Sequence, residues 1–188
     1  GNEKGVADVH WVLAIGAAAA GELPTALSHA KASLAAHRKL GDPFSIGWSA
    51  HMLTLYSMSV GDVDQATAYA TEALHTFRRS RDLAGMIIAA YDFAMIGARR
   101  GDRETEMRLS GAVTELGRQT GVGVMNDAFE ILGWKLPQTP TGEQDLRWWA
   151  EGAQMTPDQA VDYALAHAGA DGQASPAAAG ASAETQAG

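Results

Sequence analysis

The stretch Gly47-Trp48-Ser49-Ala50-His51 sets a hydroxyl two residues from an imidazole and has the outline of a nucleophile elbow. That chemistry needs a strand-to-helix turn and a second Gly where His51 stands, so a helical reading is preferred here. Glu72 and His75 have the spacing of one half of a carboxylate-bridged metal site. No second copy of that pair is present, and the two read as surface neighbours. His10, His29, His37 and His167 show no metal-ligand spacing. Gly121-Val122-Gly123-Val124 lacks the third Gly and the Lys-Ser pair of a phosphate cradle and reads as a turn. No catalytic residue, metal or cofactor is therefore expected, and the chain is not read as an enzyme.

A second kind of chemistry is suggested by Arg78, Arg79, Arg81, Arg99, Arg100, Arg103 and Arg108, which gather around two expected turns. A nucleic-acid patch would use such cations. Asp82, Asp102, Glu104 and Glu106 sit among them, however, and cations near helix C-termini complement the helix dipole. The formal net charge of −8 also opposes attraction to phosphates or to an anionic membrane. No direct nucleic-acid partner and no membrane partner are expected.

The chain has 188 residues and no cysteine, which rules out disulfides and thiolate zinc sites and fits a cytoplasmic location. Its longest apolar stretch, Trp11 to Ala20, is about half a bilayer span. The opening Gly-Asn-Glu-Lys, without an initiator Met, reads as part of a longer protein. Abundant Ala and sparse β-branched residues favour an all-α fold.

What must position these residues is a repeat. The sequence falls into register with itself at 40 residues, in three copies. Gly21-Glu22, Gly61-Asp62 and Gly101-Asp102 align as turns within copies; Gly41-Asp42, Arg81-Asp82 and Gly121-Val122 align as turns between copies. Each Gly suits a left-handed helix end and each Asp an N-cap. Leu13, Leu53 and Phe93 superimpose, as do Ile15, Leu55 and Met95, and Ala14, Thr54 and Ala94. In the second helices Ala26 and Ala66 align with Glu106, Ala30 and Ala70 with Ser110, and Leu34 and Leu74 with Thr114, so the third copy departs from the pattern. Small residues four apart share a helix face and let a neighbour approach closely.

Six helices are expected, near 5–20, 24–40, 44–60, 63–80, 83–100 and 103–120. They form hairpins at about 5–40, 44–80 and 83–120. A capping segment at 124–167 is expected to hold short helices over Val124–Gly133 and Glu143–Glu151, a loop over Leu136–Gly142, and a last helix started by Thr156-Pro157-Asp158-Gln159. Residues 1–167 make one domain, and the Ala/Gly/Ser tail at 168–188 is expected to be disordered.

Leu53-Thr54 in one helix, followed by Ala66-x-x-x-Ala70-x-x-Ala73-Leu74 in the next, resembles a tetratricopeptide repeat. The period is longer than the roughly 34 residues of that family. Arg108-Leu109-Ser110-Gly111-Ala112 and then Trp149-Ala150-Glu151-Gly152-x-x-Met155-Thr156, with Ala160-Val161-x-Tyr163-Ala164-Leu165 beyond, is similar to the C-terminal end of the repeat region in actinobacterial LuxR-type and cyclase-linked ATPase regulators. The stretch between Gly121 and Trp148 is shorter than in those regulators. The resemblance implies an all-α, right-handed α-α superhelix of three tetratricopeptide-like hairpins with C-terminal capping helices.

In such arrays the first helices line a concave groove. Carried over by position, the groove holds Trp11, His51 and Tyr91 in one row, Trp48 and Ile88 in a second, and Ile15, Leu55 and Met95 in a third, with Met58 further along. These would suit an amphipathic helix or an extended apolar segment. The competing account is that they are ordinary core. The expected function is protein interaction and scaffolding, or sensing, within a cytoplasmic transcription or signalling regulator. Its partner is a peptide or protein segment or neighbouring domains of the parent chain. An effector-binding domain and a homo-oligomerisation module remain open beside it.

Overall fold

The computed structural model describes residues 2–122 and 138–169. Among them are eight helices and no strand: α1 Glu3–Ala19, α2 Leu23–Leu40, α3 Pro43–Ser59, α4 Val63–Ser80, α5 Leu83–Arg100, α6 Arg103–Thr120, α7 Glu143–Gly152 and α8 Pro157–Ala166. The helix expected over Val124–Gly133, the start of the loop at 136–142 and nearly all of the tail at 168–188 lie outside the described residues.

The ends of these helices are set by local chemistry repeated every twenty residues. Gly21, Gly41, Gly61, Arg81, Gly101 and Gly121 all have positive φ, between 56° and 83°. The backbone N–H groups of Glu22, Asp62, Asp82 and Asp102 then donate to the carbonyls five residues back, closing the turn as a Schellman motif does. The side chains of Asn2, Asp42, Asp62, Asp82 and Asp102 accept from first-turn N–H groups of α1, α3, α4, α5 and α6. Thr156 and Gln159 close a full capping box on α8.

Arg81 alone among these turn residues carries a side chain in the left-handed region, at φ 56°. Cβ crowding there costs about 1 kcal/mol, which Gly avoids at some cost in chain entropy. Arg81→Gly is therefore expected to raise stability by about 0.5 kcal/mol, read as a higher urea midpoint at unchanged slope.

Consecutive helices pair as α1 with α2, α3 with α4 and α5 with α6. The hairpins then stack, α2 on α3, α4 on α5, and α3 on α5. The small-residue face is the reason for the close pairing: Ala26, Ala30, Ala66, Ala70 and Ala73 are all buried. Packing α3, α4, α6 and α8 around α5 buries every residue of α5 from Gly85 to Gly97. Helix α8 contributes Ala160, Val161 and Ala164 to the same core.

The third hairpin departs from the register for a structural reason. Thr114 is exposed where Leu34 and Leu74 are buried, while Leu109, Gly111 and Ala112 turn inward. Leu109 and Ala112 join the hydrophobic core, and Gly111 meets α7, which packs on α6 as α3 packs on α2. The crossing is backbone on backbone. A Cβ at Gly111 would overlap the carbonyl of Trp149, and one at Gly152 would overlap the carbonyl of Arg108. The two short motifs Arg108–Ala112 and Trp149–Gly152 are thus the two sides of one helix crossing.

Candidate functional site

The residues expected to line an open groove are mostly interior. His51, Leu55, Met58, Ile88, Tyr91 and Met95 are buried, Trp11 and Trp48 keep partial exposure, and Ile15 is exposed. The groove expectation is corrected at those six positions. An apolar stripe on a first helix has neighbours on several sides in this stack, so periodicity alone did not separate cleft from core. Burial pushes the Tyr91 phenol up to about 12 and keeps it neutral.

What the first helices do bring together is an aromatic and polar cluster centred on α3. The Trp48 ring meets His51 edge-on at 5.7 Å and Phe77 of α4 at 5.5 Å, with Phe44 at 6.1 Å on its outer side. His51 Nδ1 lies 2.8 Å from Asp92 Oδ2, joining α3 to α5. Asp92 has no exposed surface, and burial pushes its carboxyl above the usual carboxylate range against the opposing pull of His51.

A raised carboxyl pKa in the folded state stabilises the fold most at low pH. That contribution is present below the unfolded value and is lost as pH rises through the folded value. Asp92→Asn removes the titration while keeping an oxygen that can accept from His51. Denaturation curves from pH 4 upward are therefore expected to show the variant gaining on the parent chain as pH rises.

A second polar cluster ties α1, α2 and α3. His37 Nδ1 lies 2.9 Å from Ser49 Oγ, and its Nε2 lies 3.5 Å from Asp8 Oδ1. Ser33 Oγ donates to the Ala7 carbonyl at 3.1 Å. Serine, imidazole and carboxylate lie in line here, but Ser49 sits within α3, where backbone N–H groups are engaged in the helix. The cluster satisfies buried polar groups at a helix junction. Beside it a small cleft is lined by Trp11, Ala14, Ala30, Ser33, Ser49 and Met52. Ser49 and His51 thus turn to different partners on different helices, α2 for Ser49 and α5 for His51.

Several of the remaining polar candidates form links within or between helices. Glu72 pairs with Arg38 of α2, joining the second helices of neighbouring hairpins. Arg78 holds Asp158 and Asp162 of α8, Arg103 holds Glu106 and Asp145, and Arg108 lies against Glu104 and Glu151. Arg100 donates to the Ala168 carbonyl and to Thr67. These arginines direct their charge at the protein itself. His10 and His29, which show no metal-ligand spacing in the sequence, bring their Nδ1 atoms within 3.0 Å. No group of three or more His, Asp or Glu able to hold a metal is found among the described residues.

Sequence reasoning did not name the residues of an exposed apolar face on α1. Val6, Val9, Val12, Leu13 and Ile15 are all exposed, Val9 at 57% and Val12 at 65%. Ala7, Ala14 and Ala18 are the residues that α1 buries. The exposed apolar set runs along most of the helix. Leu13 and Ile15 repeat as Leu53 and Leu55, which are buried. No helix among the described residues is long and apolar enough to cross a membrane. No protein-family model, curated protein or solved structure matches the chain.

Proposed function

We propose that the chain is a protein-interaction and scaffolding module that acts by docking another helical segment and performs no reaction of its own. The observation that carries this is the bare apolar face of α1 at one end of a stack whose other first helices, α3 and α5, are covered. Contiguous apolar surface of that kind, on a chain with a net charge of −8, is characteristic of a binding face. The order of motifs from Arg108 to Leu165, similar to the end of the repeat region in LuxR-type and cyclase-linked ATPase regulators, supports a place inside a cytoplasmic transcription or signalling regulator.

The test is selection of binders. A displayed library of amphipathic helices and helical hairpins is panned against the whole chain, and the enriched sequences are measured against two variants. Val12→Asp is expected to weaken binding at least tenfold. Lys31→Ser, a change at an exposed position on α2, is expected to leave it unchanged. Enrichment indifferent to Val12→Asp would remove the proposal.

A further inference from the structure

The 40-residue register states what each position of a first helix receives from the hairpin before it. Three such contacts are made within the stack. On α3, the position of Val9 is Ser49, which takes the imidazole of His37 from α2 at 2.9 Å. On α5, the position of Gly5 is Gly85, and the Phe77 ring of α4 lies where its Cβ would be. Also on α5, the position of Val12 is Asp92, which meets His51 of α3 at 2.8 Å. His37 and Phe77 are themselves register equivalents, each four residues before the left-handed turn residue, Gly41 or Arg81. The second helix of each of these two hairpins therefore lays one large ring on the next first helix, at position nine for His37 and at position five for Phe77. The first helix of that hairpin reaches position twelve.

On α1 these three receiving positions are Gly5, Val9 and Val12; both valines are exposed, and Gly5 is half-buried. We infer that this face takes an antiparallel α-helical hairpin seated in the repeat register, with both of its helices engaged. The receiving residues fix the partner's chemistry. Val9 stands where Ser49 meets one imidazole, and Val12 stands where Asp92 meets another, so neither polar contact can be repeated. The partner's second helix must carry an apolar ring, as Phe77 is, four residues before its closing turn. Its first helix must present an aliphatic or aromatic side chain at the place of His51. Small residues four apart on the second helix would allow the close approach seen at Ala26/Ala30 and Ala66/Ala70.

A second copy of this chain is the poorer fit. Its own second helices α2, α4 and α6 are already covered by α3, α5 and α7, so it has no such ring to offer. This inference rests on the interaction proposal and specifies its partner.

The test uses the full chain with a copy of its residues 43–82 joined ahead of Glu3, so that the copied Asp82 takes the capping place of Asn2. In that chimera His51 of the inserted copy is changed to Leu. Hydroxyl-radical oxidation of Val9 and Val12 is expected to fall at least fivefold relative to the parent chain, and α1 amide exchange to slow at least tenfold. Phe77→Ala in the inserted copy alone should restore both, and Val9→Asp on α1 should restore the oxidation of Val12 and the exchange. Unchanged oxidation of Val9 and Val12 overturns the inference, whether the added hairpin is helical or not. Protection of α1 in the parent chain that grows with its concentration also overturns it, in favour of a second copy. Helix binders sensitive to Val12→Asp, found together with an unprotected chimera, would retire the hairpin and leave the interaction proposal standing.

Discussion

Replacing Phe77 with Ala is expected to lower the unfolding free energy by about 3–5 kcal/mol, the cost of emptying a large, fully enclosed aromatic site. Phe77 is completely buried, and its ring is shared by three helices. It leaves α4, lies against Gly47 of α3 and Gly85 of α5, and stacks edge-on with Trp48. The facing helices cannot fill the space it would vacate from those contact positions, since both are glycines. The loss also falls on cooperativity. In a stack where each hairpin contacts its neighbours, weakening one interface divides the array into units that melt apart. Urea curves followed by Trp fluorescence and by far-ultraviolet dichroism should then separate, whereas in the parent chain they should coincide. Gly85→Ala puts a methyl into the same space and is expected to destabilise by about 1–3 kcal/mol as overpacking. Combined with Phe77→Ala it should cost less than the sum, because the ring it collides with is gone.

Gly152→Ala is expected to cost about 3 kcal/mol at the other end of the stack, near the upper range for overpacking because the obstruction is main chain. A flexible side chain can swing away from an added methyl. The Arg108 carbonyl cannot, since it belongs to the interior of α6. Gly111→Ala should behave alike, its methyl meeting the Trp149 backbone. The effect is expected to be local. Amide exchange in α7 should accelerate by orders of magnitude while α1 to α4 keep their protection, and limited proteolysis should cut near Glu143–Gly152 first. The ion pair between Arg108 and Glu151 spans the same crossing but is partly exposed, so its loss alone should be small beside that of either glycine.

Much of the architecture could be read from residue types because the turns punctuate it. Gly21, Gly41, Gly61, Gly101 and Gly121 supply left-handed turns at fixed intervals, and Asp42, Asp62, Asp82 and Asp102 cap the helices that begin after them. Both signals are local, so α4, α5 and α6 begin and end where the spacing places them. Arg81 also fits, since the register demanded a left-handed residue there whatever its side chain.

The site was less legible, because it depends on which faces meet. His51, Tyr91 and Met95 carry the apolar period of a groove wall and of a buried face equally well. The packing of α8 and α6 around α5 decides between them for Tyr91 and Met95. Asp92 is the one acid in the run from Leu83 to Ala98, and it was not singled out from the sequence. Its partner His51 lies 41 residues earlier, and only the stack of α3 on α5 joins them. The glycines of the α6–α7 crossing were visible in their motifs, yet their purpose appears only when each is seen against the other's backbone. The α1 face was hidden by the strength of the repeat, since Ile15 was set in one groove row with Leu55 and Met95, and Leu13 superimposes on Leu53. A first helix is covered on that side by the hairpin before it, and for α1 that side is exposed.

Side-chain oxidation of the parent chain by hydroxyl radicals, quantified residue by residue, tests this difference most directly. Val9, Val12 and Leu13 are expected to react at rates near those of an unfolded peptide, and Leu53 and Phe93 at rates many times lower. Protection of Val9, Val12 and Leu13 equal to that of Leu53 and Phe93 would contradict the open face on which the proposed docking depends.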